Sequence, residues 1–341
     1  MSLLVSCSDS TITPIISGPP SDLTRSGKFI AFTSNLTGNN DIYIAQVNSL
    51  GILETSNLVY PTNPYNLTAG FPGSDKGSNW SPDGRVLVFS REQGTAQDIY
   101  AFFFKSDGSI DSSVSQNPKM LFSSNNNWDN NPSFSPDGLY LIWDRRYDNN
   151  VNGFVDTADS RDLYIGNISG TGNNLIVGNI HAIMTTSGLD EYNPKWSPKI
   201  SVRRIAYEYA TSATSNDHDV YIVDPFDTLN NVNYYNPGRS GYPAWEPSCT
   251  KLIFESDQGN SGLYKIVKAS YPTAGSTTDL VQSGVENNRY PTWLPNGGII
   301  AYINIPSTGL GNIYIVSSSG GTPVKLLPIA FDGANNLYPA W

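Results

Sequence analysis

The sequence predicts an all-β protein, specifically a six-bladed β-propeller of four-stranded antiparallel blades. Three observations lead to this fold class. Turn-forming residues are abundant, with 30 Gly and 23 Pro among 341 residues. No apolar period of 3.6 residues is sustained long enough to predict a helix. One β-meander pattern also recurs along the chain, which is typical of a propeller or another repeat architecture.

The clearest copy of the repeat occupies residues 79–100. It opens with Trp80-Ser81-Pro82-Asp83-Gly84, whose proline and glycine favour a tight turn, and continues with the apolar run 86–89. A polar loop then leads to Asp98-Ile99-Tyr100. Two turns between three apolar runs predict three antiparallel strands. We interpret the repeat aspartates as turn and loop formers rather than catalytic groups.

Six copies of both repeat elements can be found. The first element is the aromatic-Ser-Pro motif or a degenerate form of it, which we call the aromatic-proline element. Its aromatic residue recurs at intervals of about 48 to 62 residues, enough for one four-stranded unit with its loops. These aromatic residues are Trp80, Phe134, Trp196, Trp245, Trp293 and Trp341. The tyrosines that close the second element are Tyr43, Tyr100, Tyr164, Tyr221, Tyr264 and Tyr314. Each unit therefore has an aromatic and β-branched core.

The two ends of the repeat array complement each other. The first unit begins at Ser26-Gly27-Lys28-Phe29 without the aromatic-proline element, whereas Tyr338-Pro339-Ala340-Trp341 is that element without its continuation. Pairing of the C-terminal strand with the N-terminal blade would close the ring and remove exposed sheet edges. This interpretation predicts a buried Trp341.

The motif around Trp80-Ser81-Pro82-Asp83-Gly84, together with Asp98-Ile99-Tyr100, resembles the repeat of bacterial TolB-like propellers, described as WD40-like or PD40 repeats. Phe134-Ser135-Pro136-Asp137-Gly138 matches equally well, and the resemblance covers residues 26–341. The later copies depart from the motif: Trp196-Ser197-Pro198-Lys199 lacks Asp-Gly. The resemblance implies an envelope binding module. Similar repeats also occur in peptidases and pectin-fragment lyases, so the fold does not select the function.

The N-terminal segment differs from the repeats. Residues 1–22 are interpreted as a truncated lipoprotein signal and flexible tether, because a short apolar run precedes Cys7 and the following stretch is rich in Ser and Thr. The alternative is a disordered tail. Residues 23–341 are predicted to form a single propeller domain. The localisation expected from the lipoprotein pattern is the bacterial cell envelope, either periplasmic or anchored to the outer membrane, or secretion.

Charge and cysteine content restrict the partners. The formal net charge is −10 with only 20 Lys and Arg, which excludes nucleic acid as the expected partner. A membrane contact is expected only through a lipid on Cys7. The only other cysteine, Cys249, has no apparent mate, so no disulfide framework is predicted. We expect a monomer that engages an envelope protein or a glycan.

One insertion departs from the repeat and has the spacing of a calcium loop. Counting Asp148 as position 1, oxygen-bearing side chains fall at positions 1, 3, 5, 9 and 12, and Gly153 is at position 6. The carbonyl of the seventh residue completes the predicted Ca²⁺ ligands, which are Asp148, Asn150, Asn152, Phe154, Asp156 and Asp159. The expected role is structural, to order a long loop. The alternative is a solvated Asn-rich loop without metal.

A second candidate site follows from the ring geometry. The residues that enter each innermost strand, three positions before the repeat proline or its counterpart Ser78, are expected at the mouth of the central channel. These positions are Asp75, Asp129, Glu191, Ser240, Asn288 and Asn336, with Lys76 and Arg289 one position further on. The predicted partner-binding residues are Asp75, Lys76, Asp129, Glu191 and Arg289. This acidic half-rim suits a cationic side chain, a metal or sugar hydroxyls, and the alternative is a set of solvated loops.

These features favour a non-catalytic envelope binding or scaffold protein. Its partner is expected at the channel-mouth face, on which the calcium-like loop should also lie. The alternative is a hydrolase or lyase that acts on glycans or peptides. Only two histidines are present, His181 and His218, so a histidine-based metal centre or catalytic triad has little material. No catalytic residue is predicted.

Overall fold

The protein is built almost entirely from β-strands. The computed structural model describes residues 28–123, 127–185, 188–259, 262–282, 284–307 and 309–341. Within these ranges the chain forms 24 strands and two single-turn 3₁₀ helices, Gly172–Asn174 and Ile329–Phe331, and no α-helix. None of the helices in the described part of the chain has the length and apolar character needed to cross a bilayer. The all-β prediction is confirmed.

The strands form four-stranded antiparallel groups, which we call blades and number along the chain. Blade 1 contains β1 (Phe29–Ser34), β2 (Asp41–Gln46) and β3 (Tyr65–Asn66). Blade 2 contains β4 (Ser74–Trp80), β5 (Val86–Gln93), β6 (Ala96–Phe103) and β7 (Lys119–Met120). Blade 3 contains β8 (Trp128–Phe134), β9 (Tyr140–Arg146), β10 (Arg161–Ser169) and β11 (Ile176–Ala182). One parallel bridge between Gln97 and Trp128 joins blades 2 and 3.

The second half of the chain repeats the same plan. Blade 4 contains β12 (Asp190–Trp196), β13 (Ile205–Ala210), β14 (His218–Asp224) and β15 (Asp227–Tyr235). Blade 5 contains β16 (Ser240–Trp245), β17 (Lys251–Ser256), β18 (Lys265–Ser270) and β19 (Thr278–Val281). Blade 6 contains β20 (Asn287–Trp293), β21 (Ile299–Ile305), β22 (Asn312–Ser317) and β23 (Val324–Lys325). The last strand, β24 (Asn336–Ala340), pairs with β1 and is the fourth strand of blade 1.

The innermost strands surround a central channel. Each of them contacts the innermost strands of two neighbouring blades, in the cyclic order β4, β8, β12, β16, β20, β24 and back to β4. The start of each inner strand lies at one end of the channel, which we call the loop face. Loops between second and third strands lie at this end, because Trp128 at the start of β8 is opposite Arg146 at the end of β9. The other end is the funnel face.

The hydrophobic core is divided among the interfaces between blades. The described residues form six apolar clusters, and each combines residues from two neighbouring blades. Second strands such as β1 and β5 have continuous apolar runs because both of their faces are buried against a neighbouring blade. One cluster joins Ile30 and Phe32 of blade 1 to Ile303 and Ile313 of blade 6.

The repeat turns have the predicted chemistry. In Trp-Ser-Pro-Asp-Gly, the Ser81 hydroxyl donates to Asp83 at 2.6 Å and accepts the Val86 N–H at 2.9 Å. The Gly84 N–H donates to the Ser81 carbonyl at 2.8 Å, and Gly84 has a φ of +68°, which disfavours a side chain. Ser135 and Asp137 form the same contacts in blade 3. These aspartates therefore hold the turn.

Candidate functional site: the central channel

A funnel-shaped cavity of about 530 Å³ opens at the funnel face of the channel. Its size falls within the range of roughly 300–1,000 Å³ that is typical of small-ligand and peptide sites. The ends of all six inner strands and the turns that follow them contribute to the wall. The six repeat aromatic residues line it: Trp80, Phe134, Trp196, Trp245, Trp293 and Trp341. Seven prolines lie among the other lining residues: Pro82, Pro136, Pro198, Pro247, Pro291, Pro295 and Pro339.

The aromatic rings of the funnel are held by the fold rather than free. Trp80, Trp245 and Trp293 are each only 5–6% exposed, so they present ring edges to the cavity. The Trp245 indole N–H donates to the Lys195 carbonyl at 3.0 Å, which ties blade 5 to blade 4. Trp341, predicted to be buried, is partly buried, because it lies at the rim of the funnel where one blade interface ends. The wall therefore consists of packed aromatic and proline side chains with polar groups between them.

Lysines are the only ionisable side chains on the described funnel wall. Lys199 is exposed in the turn after β12, whereas Lys195 lies deeper and is partly exposed to the cavity. Burial lowers the pKa of Lys195 to about 8. The Lys195 ammonium has no carboxylate within ion-pair distance among the described residues, so the funnel has cationic character in an acidic protein.

A septum of side chains narrows the channel below the funnel. It is formed at one position of each inner strand, where the backbone has a left-handed φ and the strand pairing shifts by a β-bulge. These positions are Gly77, Asn131, Asn193, Tyr242, Tyr290 and Tyr338. The three tyrosine rings cluster, with centroids 4.3 Å apart for Tyr242 and Tyr290 and 4.8 Å apart for Tyr290 and Tyr338. A small cavity of about 40 Å³ lies beside them.

Three buried carboxylates support the septum from the second strands. Asp144 accepts the backbone N–H of Asn193 at 3.1 Å. In the same way Glu208 accepts the Tyr242 N–H at 2.9 Å, and Glu255 accepts the Tyr290 N–H at 3.0 Å. Each bond joins one blade to the next. Burial raises the pKa of Asp144 to about 6, so its charge is expensive to maintain in the interior.

The predicted rim residues Asp75 and Asp129 do not form an open mouth. Both are buried, at 1% and 0% exposure. Asp75 accepts two hydrogen bonds from Arg91 at 2.7 and 2.8 Å, and Asp129 accepts two from Arg145 at 2.7 and 2.9 Å. The two aspartates were expected to be accessible at the channel mouth. They are buried instead, because each faces the second strand of its own blade, where an arginine is directly opposite.

The remaining rim residues have different surroundings. Ser240, Asn288 and Asn336 are buried and hydrogen-bonded within the fold. Arg289 pairs with Glu255, at 2.9 Å between Nε and Oε1, and lies over the ring of Tyr264. Lys76 is partly exposed.

Glu191 is the exception among the rim carboxylates. It is fully buried, and both of its carboxylate oxygens have no hydrogen-bond partner in the described part of the chain. Burial, with repulsion from Asp162 and Asp190, raises its pKa to about 8. Glu191 is therefore largely protonated at neutral pH.

The calcium-like loop lies between β9 and β10, on the loop face, as the strand order requires. The Asp148 carboxylate accepts the N–H groups of Asn152 at 3.0 Å and Gly153 at 2.8 Å, so the loop turns around it. Asp159 is buried and accepts N–H groups from Asn149, Asn150 and Asp156. Among the residues described by the structure, no three His, Cys, Asp or Glu side chains gather into a metal-binding group. Any Ca²⁺ bound here depends on the Asn150, Asn152 and Phe154 oxygens as well.

The two histidines lie outside both cavities. His181 is exposed on the outer strand β11. His218 lies 3.1 Å from Glu208, and although burial opposes protonation, that carboxylate raises the pKa of His218. Cys249 is a free, buried thiol. Cys7 and the predicted tether, residues 1–22, lie outside the described residues.

Sequence reasoning placed the candidate surface at the loop face and did not identify the funnel at the other end of the inner strands. It treated the repeat Trp residues as blade-packing groups, which they are, but did not foresee that their edges and the following prolines enclose a funnel. The available signal was the position of each aromatic-proline element directly after an inner strand, which places six copies around one end of a ring.

Comparisons with known proteins identify the fold. No family model matches the chain, and no curated protein matches it. The structure is similar to TolB from Acinetobacter baumannii, with a TM-score of 0.66 and 15% identity over 93% of this chain and 67% of that chain. An oligogalacturonate lyase solved in complex with manganese gives a TM-score of 0.55 and 14% identity, covering 89% of this chain and 74% of that chain.

A third similar structure, from a study of two prolyl endopeptidases, gives a TM-score of 0.50 and 14% identity, covering 87% of this chain and 40% of that chain. Structural similarity at such low sequence identity shows the fold and leaves the activity open. The expected resemblance is confirmed at the level of architecture: the chain has the fold of a TolB-like β-propeller.

Proposed function

We propose that the protein is a non-catalytic binding propeller of the bacterial cell envelope, and that a segment of a protein partner enters its funnel. The observation that carries this proposal is the funnel itself, a cavity of about 530 Å³ whose wall is rich in aromatic residues and proline and contains two lysines. Such a wall suits an apolar segment that carries an acidic group, because aromatic edges supply contact area and Lys195 and Lys199 supply the opposite charge.

The rim predicted from sequence is the weaker candidate for this contact. Asp75 and Asp129 already pair with arginines of their own blades, so a partner would have to break a buried ion pair to use them. The funnel requires no such exchange. A glycan remains the second type of occupant, since aromatic edges also contact sugar rings.

Photocrosslinking tests this assignment. Thr292 lines the funnel and is partly exposed, so p-benzoylphenylalanine at this position should crosslink to a protein in envelope extract. The same residue at Val324, on the outermost strand of blade 6 and 54% exposed, is the matched control and should capture nothing comparable. A synthetic peptide that matches the crosslinked segment should then bind the purified protein.

The variant Thr292→Trp fills the funnel and should weaken that peptide at least about tenfold, a loss of about 1.4 kcal/mol. Val324→Trp should leave its affinity unchanged. Equal crosslinking from both positions, or peptide binding that ignores Thr292→Trp, would contradict a funnel site.

We also propose that the loop 148–159 binds Ca²⁺ and that the ion orders this loop. Support comes from the side-chain oxygens at alternate positions and from Gly153, whose φ of +94° permits the sharp bend that such loops require. The residues that would hold the ion are Asp148, Asn150, Asn152, Phe154, Asp156 and Asp159.

Calorimetric titration of chelator-treated protein with Ca²⁺ tests this loop. Saturable heat and a higher melting temperature with Ca²⁺ are expected, and both should be lost in Asp148→Ala. Asp111→Ala, which removes a partly exposed loop aspartate of blade 2, is the control. Absence of heat at millimolar Ca²⁺, with no effect of chelator on melting, would refute calcium binding.

Hydrolase or lyase activity on glycans or peptides is the competing function. Lyase and peptidase structures share the fold, but neither histidine of this chain lines the funnel or the small cavity beside the tyrosines. A panel of glycan and peptide substrates tests it, and turnover that Thr292→Trp abolishes would replace the binding proposal. The envelope localisation is part of the proposal, and a complete signal sequence before Cys7 in the precursor would support it.

A further inference from the structure

One cross-strand pair recurs in every blade at the loop face. The first part of each inner strand places one side chain opposite the second strand of the same blade. The six pairs are Asn336 with Ser34, Asp75 with Arg91, Asp129 with Arg145, Glu191 with Tyr209, Ser240 with Ser256, and Asn288 with Asn304. Five of these pairs are joined by a side-chain hydrogen bond of 2.7–3.0 Å. The Glu191 pair is the exception.

Among the residues that the structure describes, Glu191 has neither a counter-ion nor a hydrogen-bond partner. The charges that act on it come from Asp162 and Asp190, both of which oppose its ionisation. Asp190 is already paired with Arg161, and Asp162 accepts a hydrogen bond from the Tyr147 hydroxyl at 2.8 Å. A buried polar group without a partner lowers the free energy of unfolding by about 1–3 kcal/mol, so we expect Glu191 to take a partner from outside the described fold.

Blades 2 and 3 show what this position holds when it is complete. The guanidinium bound by Asp75 lies over the Tyr100 ring, with Cζ 4.9 Å from the centroid. The guanidinium bound by Asp129 lies over the Tyr164 ring at 4.6 Å. In each case the acid and the third-strand tyrosine together hold one guanidinium.

Blade 4 retains the acid and the tyrosine but not the arginine. Its third-strand tyrosine is Tyr221, which pairs with Tyr207 as Tyr164 pairs with Trp143. Tyr209 occupies the arginine position, and its ring lies on Tyr221 at 4.5 Å. Tyr209 is partly exposed, so its side chain can rotate towards solvent. This rotation would expose the ring of Tyr221 and the carboxylate of Glu191.

We propose that Glu191 and Tyr221 form a receptor site for an arginine side chain supplied by another protein at the loop face. A guanidinium fits better than an ammonium or a metal ion, because its planar fork can bond both carboxylate oxygens while its face stacks on the ring. The net charge of −10 favours the approach of such a cation. The site lies at the opposite end of the channel from the funnel and does not depend on it.

Titration with Nα-acetyl-arginine methylamide tests the site directly. The carboxyl carbon of Glu191, observed by NMR in glutamate-labelled protein, should shift saturably as the probe is added. Glu191→Gln should weaken binding at least about tenfold. Glu92→Gln, which neutralises an exposed glutamate of blade 2, should bind like the unaltered protein. The matching lysine compound should bind more weakly.

Tyr209→Arg provides an independent test, because it restores the pair that blades 2 and 3 already have. This variant should melt at a higher temperature and should no longer bind the probe. Failure of the probe to shift the Glu191 signal, or equal binding by Glu191→Gln, would overturn the proposal. A stabilised Tyr209→Arg in a protein that never bound the probe would also overturn it, because the position would then accept only an internal arginine.

Discussion

Asp75, Asp129 and Glu191 occupy the same position of consecutive inner strands, but their surroundings give them different chemistry. The two aspartates have an arginine opposite and are held in short two-bond ion pairs. Glu191 has a tyrosine opposite and no hydrogen-bond partner within the described ranges. A carboxyl group that is buried without a cation favours its protonated form, whereas one that is paired is better able to keep its charge. The residue across the strand therefore decides the role of each acid.

The protonation of Glu191 should make stability depend on pH. Its pKa is about 8 in the folded protein and close to the ordinary 4.5 in the unfolded chain. Between these values the folded state holds a proton that the unfolded state has lost. Its stabilising contribution is therefore complete below about pH 4.5 and lost as pH rises through 8. The loss should reach roughly 2–5 kcal/mol.

Urea unfolding of Glu191→Gln and of the unaltered protein at pH 5, 7 and 9 measures this effect. The variant should gain stability relative to the unaltered protein as pH rises, because glutamine cannot ionise. Other titrating groups contribute equally to both proteins and cancel in the difference. Glu92→Gln should show no such trend. A difference between variant and unaltered protein that is constant with pH would contradict a buried, protonated Glu191.

At the scale of elements, the inner strand is the unit that builds the channel. Each carries a bulge whose left-handed residue points at the axis, and in five of them a proline follows directly. Carboxylates on the second strands of blades 3, 4 and 5 accept the N–H of the bulge residue in the next blade. Gly241 lies beside one of them, where an added Cβ would clash with the Glu208 carboxylate. The septum is therefore fixed by hydrogen bonds between blades.

The repeat turns and strands could be predicted from sequence because their causes are local. Proline, glycine and self-bonding aspartate within five residues determine the turn at Ser81 to Gly84. The bulges could not be predicted in the same way. Tyrosine at a left-handed φ, as at Tyr290, is locally unfavourable and is maintained by the bond from its N–H to Glu255 of the preceding blade.

The burial of the rim residues also depends on contacts between strands, so it could not be predicted from local sequence. Asp75 meets Arg91, which is sixteen positions away along the chain, and this contact exists only once β4 and β5 pair in one register. A polar residue before an aromatic-proline element looks like a loop residue when the sequence is read alone. The register places it inside the blade.

At the scale of the whole molecule, stability depends on interfaces between blades rather than on one central core. The six apolar clusters each join two neighbours, and the cluster between blades 6 and 1 connects the two ends of the chain. Strand β24 adds backbone pairing with β1, and Asn336 accepts the Ser34 hydroxyl at 2.7 Å. Contacts between residues about 300 positions apart therefore hold the first and last blades together.

Removal of residues 338–341 should destabilise the whole protein. The deletion eliminates the pairing of Ala340 with Ala31, takes Tyr338 out of the septum cluster and removes Trp341 from the interface of blades 6 and 1. A fall in melting temperature on the order of 5–10 °C is expected, because the loss of an interface of this kind lowers the free energy of unfolding by several kcal/mol.

Trp341→Ala should produce a smaller fall, since β24 still pairs. Val324→Ala, on the exposed outer strand of blade 6, should melt within about 1 °C of the unaltered protein. Calorimetry of the three variants separates strand pairing from side-chain packing, and an unchanged melting temperature after the deletion would show that β24 does not hold blade 1 to the rest of the molecule.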